Sequence, residues 1–215
     1  HNLSRLNCAT KQGKYTIKEK EFGGVLIKIK AVYEEKIGIG DKIANRHGNK
    51  GVISKILPDD KMPILPDGRR LEIIINPLGI ISRMNVGQLF ELHLNEALYH
   101  VKKTLSNGSL SNNDKEKYLK GFLDIIDKTE NKWITDEILN NYKKDYDENK
   151  LYLIQPSFNS LTAEDLKYAI DYSESYFKTT VFDPTINVNL NNPISVGYLY
   201  FMKLVHRATE KLSAR

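Results

Sequence analysis

A chain of 215 residues, 40% of them apolar, is long enough for one domain with an insert or for two small domains, and has enough apolar side chains for a true core. Its 32 Lys plus Arg against 27 Asp plus Glu leave a net charge of +5, too small an excess to establish nucleic-acid binding unless the charges cluster locally. Cys8 is the only cysteine, which excludes an internal disulfide and a cysteine-based zinc site, and no apolar run reaches the ~18 residues of a membrane span.

In chain order, Gly24 to Tyr33 alternates Val25, Ile27, Ile29, Ala31 and Tyr33 with Lys28 and Lys30, which predicts a strand. A glycine-punctuated stretch, Gly38 to Gly51, leads to a second expected strand, Val52 to Leu57. Pro58, Pro63 and Pro66 then interrupt the pattern, Asp67-Gly68 marks a turn, and Leu71 to Ile75 is a third expected strand. After Pro77 the period changes. Val86, Leu89, Phe90, Leu94, Ala97, Leu98, Val101 and Leu105 share one helical face, and Asn85 with Gln88 resembles a capping pair, so a helix is expected from about Val86 to Leu105. Asn107 to Asn113 is a polar loop. Tyr118, Phe122 and Ile126, then Ile138, Leu139, Tyr142 and Tyr146, give two helical spacings within Asp114 to Tyr146. Thr162 is a candidate N-cap for a helix burying Leu166, Ala169 and Ile170. Thr179 to Leu190 is strand-like with a turn at Asp183-Pro184, and Ile194 to Leu204 is apolar throughout, so its period cannot separate strand from helix. The expected fold is α+β, a beta-rich core interrupted by a helical insert.

The chemistry concentrates in Gly40 to Ile56, GDKIANRHGNKGVISKI, where Lys42, Arg46, His47, Lys50 and Lys55 surround a single acid, Asp41. Gly48 and Gly51 would let the backbone turn tightly and approach a ligand closely. Two lysines across such a turn can converge on a phosphate chain, because an ammonium is a compact charge with three donors. Charge runs usually face water, so a solvated basic hairpin explains the same residues. The spacing matches neither a Walker loop nor a Rossmann fingerprint. In Asn76 to Gln88, NPLGIISRMNVGQ, Arg83 is expected just before a helix N-terminus, where a guanidinium and free N–H groups can meet anions; a local capping role is the alternative. His47 and His93 show no acidic or His partner at ligand spacing, and Asp59-Asp60 reads as a solvated turn, so no metal site is expected.

GDKIANRHGNKGVISKI and NPLGIISRMNVGQLFELHL closely resemble the signatures of the beta subunits of bacterial-type multisubunit RNA polymerases. ISVGYLYFMKLVHRATEKLSAR resembles a later segment of the same family, and QPSFNSLTAEDL and VFDPTINVNLNNP are weaker matches in the same order. His47-Gly48-Asn49-Lys50-Gly51 favours the bacterial branch. The resemblance implies a double-psi beta-barrel portion with a helical insert, completed by other segments or chains: residues 24–105 as barrel and following helix, 106–178 as the insert, 179–215 as the return to the barrel, with 1–23 unplaced. It implies nucleotidyl transfer, with Lys42 and Lys50 near the RNA 3′ end and the incoming nucleotide, Arg83 at the triphosphate, and Gly48, Gly51, Arg46 and His47 shaping the loop. Mg²⁺ would be held mainly by the largest, beta-prime, subunit and no metal wholly by this chain. Implied partners are that subunit, the remaining beta segment, other polymerase subunits, template DNA, nascent RNA and nucleoside triphosphates, with no membrane. The implied location is cytoplasmic, the host cytoplasm for a phage-encoded chain or the organelle interior for an organellar one; abundant Lys, Asn, Ile and Tyr fit such AT-rich genomes.

Two positions depart from the family's pattern. Ile81 stands where a proline is usual, which is expected to loosen the turn before Arg83, and Ser213 stands where a histidine is usual, removing an RNA contact. The chain starts at His1 and stops at Arg215, short of family segments on both sides, so a naturally split subunit or a fragment is expected. A non-catalytic RNA-binding module of the same fold and an unrelated phosphate-binding enzyme are the competing readings. The second would need acidic ligands or a nucleophile–base pair, for which the sequence offers no convincing candidate.

Overall fold

The computed structural model describes residues 16–17, 20–21, 29–32, 34, 36–107, 110–129, 132–155 and 161–204. Cys8, His206, Ser213 and most of the expected strand Gly24–Tyr33 lie outside them. The chain divides into two units at residue 37. In the first, β1 (Thr16–Ile17) pairs antiparallel with β2 (Lys20–Glu21), and residues 29–32 are exposed and irregular, so the described part of the expected first strand is not a strand.

The second unit holds a three-stranded antiparallel sheet, β4-β3-β7, made from β3 (Lys42–Asn45), β4 (Lys50–Val52) and β7 (Phe201–Lys203). The glycine-punctuated stretch is therefore a hairpin in its own right. Pairing begins earlier than expected and stops at Val52; residues 53–58 are irregular, which corrects the second expected strand. Leu71–Ile75 forms no strand either. Its neighbourhood contributes only the bridge Ile64↔Arg70, and Ile73 and Ile74 are exposed. Apolar β-branched residues suit a strand only where a partner edge is available. In the ambiguous stretch Ile194–Leu204 the neighbour decides: β3 captures Phe201–Lys203 as a strand. β5 (Phe182–Asp183) and β6 (Val188–Asn189) close the expected turn at Asp183-Pro184.

The helices follow their periodicities more closely. A six-residue helix, α1 (Leu78–Arg83), precedes α2 (Gly87–Ser106), which buries Leu94, Ala97, Leu98, Val101 and Leu105 at the expected spacing. Val86 lies ahead of α2 and is exposed. α3 (Asn112–Ile126), capped by Ser111, buries Leu119, Phe122, Leu123 and Ile126. α4 (Trp133–Asp145) buries Ile134, Ile138, Leu139 and Tyr142. At the head of α5 (Ala163–Tyr172), Thr162 and Asp165 form a reciprocal capping box that satisfies two otherwise orphan donors.

These four longer helices pool their apolar faces into one large cluster running from Leu94 to Ile170. A second, small cluster joins Leu65, Val181 and Val196. None of the described residues of β3, β4 or β7 belongs to either cluster. The expectation of a beta-rich core is corrected: the described core is helical, and the sheet is held beside it by other means. Among the described residues no helix is long and apolar enough to cross a membrane.

Candidate phosphate-binding hairpin

The hairpin turn is built around Asn45. Its side-chain oxygen accepts from the backbone N–H of His47 at 2.9 Å and of Asn49 at 3.0 Å, closing the loop from inside. Gly48 sits at φ +76°, a conformation that a side chain disfavours, so this position requires glycine for the turn. Gly51 has no such role: it lies in β4 opposite Ile43 with open space where a Cβ would stand.

The turn docks on the first turns of α2 through amide side chains. Gln88 Oε1 accepts from Asn45 Nδ2 at 2.9 Å and from Asn49 Nδ2 at 3.1 Å, while Gln88 Nε2 donates to Asn85 Oδ1 at 2.7 Å. Asn85 Nδ2 in turn donates to the His47 carbonyl at 3.1 Å. Asn85 and Gln88 thus meet as expected, but by side chains that tether the hairpin rather than by capping the helix; α2 has no side-chain cap. His47 Nε2 lies 2.5 Å from Glu91 Oε2, an acidic partner that local spacing could not reveal because it is 44 positions away. Arg46 lies over the Tyr200 ring at 4.2 Å, a cation–π contact that spends its charge locally.

Register decides where the lysines point. Directly paired residues of an antiparallel sheet project to one face. Lys42 pairs with Val52, and Ala44 pairs with both Lys50 and Met202. Lys42, Lys50, Val52 and Met202 therefore share a face, with the lysines as diagonal neighbours. Val52 and Met202 are exposed on it. Ile43, Asn45, Phe201 and Lys203 occupy the opposite face, where Asn45 meets α2. Asp41 is buried and pairs with Lys203 at 2.9 Å. Among the described residues neither Lys42 nor Lys50 has a carboxylate partner. Lys55 is exposed in irregular chain.

Arg83 stands three residues before the N-cap of α2, as expected, and also ends α1, a short helix that the sequence reading did not include. The N–H groups of Gln88, Leu89 and Phe90 are already bonded to the carbonyls of Asn85 and Val86. An anion would thus meet the exposed guanidinium and not a row of free helix donors. Met84, at φ 54°, then turns the chain towards Asn85, so Arg83 stands two residues from the side chain that holds the hairpin. Ile81 donates its N–H to the Pro77 carbonyl at 3.3 Å, a bond that a proline cannot make. Isoleucine here closes a helical turn, against the expected loosening.

His93 is buried, edge-on to Phe177, and its Nδ1 has no partner among the described residues; burial holds its pKa down. Asp59 and Asp60 are exposed in a single 3-10 turn. The described residues contain no group of three His, Cys, Asp or Glu side chains arranged to hold a metal. What the hairpin offers chemically is a pair of ammonium groups on an open face.

Residues 12–215 match the family described as RNA polymerase Rpb2, domain 6. The chain is 36% identical over 204 residues to the DNA-directed RNA polymerase subunit beta of Aquifex aeolicus, covering 88% of this chain and 14% of that protein. It is 35% identical over 201 residues to the corresponding subunit of Koribacter versatilis, covering 88% and 13%, and 35% identical over 198 residues to that of Thermotoga petrophila, covering 91% and 13%.

Proposed function

The chain belongs to the RNA polymerase Rpb2 domain 6 family, whose matched relatives are bacterial RNA polymerase beta subunits, and from that premise we propose that it is an active-centre portion of a DNA-directed RNA polymerase. The chain spans 14% of the length of the Aquifex relative, so the activity belongs to the assembly. In this reading β4-β3-β7 is part of a double-psi barrel completed by the remaining beta segment and packed against the largest, beta-prime, subunit. Residues 106–178 are its helical insert. Template DNA, nascent RNA and nucleoside triphosphates occupy the cleft between the subunits, in the cytoplasm of the cell or host, or in the interior of the organelle, that houses the enzyme.

The reaction is attack of the RNA 3′ oxygen on the α-phosphate of the incoming nucleotide, with pyrophosphate leaving. Lys42 and Lys50 donate to phosphate oxygens beside the RNA end and the substrate, and Arg83 grips the triphosphate with its planar fork. Contacts of this kind carry no sequence information, which suits an enzyme that must copy any template. Mg²⁺ would lie in the largest subunit, neutralising the attacking and leaving oxygens. In this reading this chain's own share is charge and position.

The observation that carries the reading is the register that aligns Lys42 and Lys50 on one open face, free of carboxylate partners among the described residues. A charge-assisted hydrogen bond is worth ~1.5–3 kcal/mol, so Lys42→Ala and Lys50→Ala should each slow single-nucleotide addition about ten- to a hundredfold in the assembled enzyme. Assembly itself should persist. Arg83→Lys should raise the apparent KM for nucleoside triphosphates and blunt discrimination against diphosphates, because a point charge cannot replace the fork. Wild-type addition rates in both lysine variants would refute the assignment.

A further inference from the structure

The three-stranded sheet has no share in either hydrophobic cluster, and polar contacts join it to α2. Apart from the bond from Asn85 to the His47 carbonyl, those contacts come from one stripe of α2. Gln88 takes Asn45 and Asn49 of the hairpin, and Asn95 Nδ2 donates to the Tyr198 carbonyl at 3.0 Å, ahead of β7. Between them, at helical spacing, stands Glu91. One of its oxygens meets His47 Nε2 at 2.5 Å, and the other accepts from the Tyr200 backbone N–H at 3.0 Å. A single carboxylate therefore grips the tip of the lysine-bearing hairpin and the chain entering β7. Charge-assisted bonds are about twice as strong as neutral ones, which makes this the strongest link in the stripe. The fit beneath it is tight: a Cβ on Gly87 would lie 2.8 Å from His47 Nδ1, and one on Gly197 would run into the Leu92 carbonyl. Helix backbone, imidazole and return strand are thus close enough for Glu91 to fix their relative positions. Arg46 over Tyr200 closes the same circuit from the strand side.

We propose that Glu91 is a positioning residue for nucleotide addition, holding His47 and the Tyr200 backbone so that Lys42 and Lys50 keep a fixed register towards the reacting phosphates. The inference rests on the polymerase reading of the hairpin. Misplacement of reacting groups by about an ångström can cost on the order of a hundredfold in rate, so a clamp remote from the substrate can govern the maximal rate.

The test uses the assembled polymerase with its complete beta subunit carrying Glu91→Ala, Glu91→Gln or His47→Ala, alone and combined with Lys50→Ala. Single-nucleotide addition gives kcat and KM for the nucleoside triphosphate. Glu91→Ala should lower kcat roughly tenfold, the equivalent of one charge-assisted hydrogen bond, with KM changed by less than about threefold. Glutamine can accept from Tyr200 with its oxygen and donate to a neutral His47 with its nitrogen, so Glu91→Gln should recover most of the loss. In the Lys50→Ala background, Glu91→Ala should add less than about twofold, because residues acting as a unit are not additive. If Glu91→Ala does not assemble, His47→Ala carries the same expectation for the hairpin arm alone. Wild-type kcat in Glu91→Ala or His47→Ala, or a full multiplicative loss on top of Lys50→Ala, overturns the positioning role. Wild-type rates in both Lys50→Ala and Lys42→Ala sink the reading of the hairpin and the role of Glu91 together, whereas a slow Lys50→Ala beside an independent Glu91→Ala sinks only the latter.

Discussion

The carboxylate of Asp127 is buried just past the end of α3 and accepts from the backbone N–H and hydroxyl groups of both Thr129 and Thr135, the Thr135 N–H at 2.9 Å. Burial alone would push its pKa up, but these four donors outweigh it and hold the carboxyl down at about 2. A carboxylate with a depressed folded-state pKa adds stability that is complete above its unfolded pKa of about 3.9 and is lost as pH falls through the folded value. The helical region should therefore keep this contribution down to about pH 4 and lose it towards pH 2. Asp127→Ala leaves the Thr135 donors buried without an acceptor, and should cost about 1–3 kcal/mol near neutral pH and much less near pH 2. Urea unfolding of the purified chain at both pH values checks this; equal losses at both would show that the carboxylate charge is not what matters. Nothing in the local sequence marks Asp127 for this role, because a buried cap and a solvated aspartate look alike there.

At the scale of elements, the loop before residue 71 is pinned to α2 by Arg69. Its guanidinium donates to both oxygens of the fully buried Glu96, to Asp67 and to the Tyr176 hydroxyl, and lies 3.8 Å over the Tyr99 ring. Burial works against the charge of Arg69, yet its hydrogen bonds to Glu96, Tyr198 and Asp67 and the Glu96 charge hold its pKa above the ordinary value. Burial and the Glu96 charge push the Tyr176 hydroxyl up to about 12. Breaking one side of a buried pair costs about 3–5 kcal/mol, because the remaining charge has no partner. Arg69→Met should lose stability on that scale, and Arg69→Met with Glu96→Leu should recover much of it. An additive, larger loss in the double variant, read by denaturant unfolding, would show that packing rather than the charge pair dominates. Asp67-Gly68 marked this turn in the sequence, and Gly68 adopts φ 86° there; its coupling to Glu96 spans 27 positions and left no local signal.

At the scale of the whole molecule, the sheet presents its lysine face to solvent, and Leu78, Ile81, Met84 and Val86 are exposed around Arg83. Apolar surface of that extent suits a chain that works inside a larger assembly. The purified chain alone should show no RNA synthesis with magnesium and nucleoside triphosphates, and activity should appear with the largest subunit and the rest of beta. Robust synthesis by the chain alone would overturn the polymerase reading.

The sequence by itself determined the helices: periodic apolar faces placed α2 to α5, and Thr162 announced its own cap. It also determined the family, because the two long motifs hold their order and spacing. Only the tertiary structure decided the sheet. Strands of two to four residues carry too few side chains to show a period, and β3 pairs with β7 across more than 150 positions, so contact, not local preference, selects them. The same cause hid the partners of Glu91 and Arg69. Each gains its partner from chain segments distant in sequence, and long-range contacts leave no mark in local spacing.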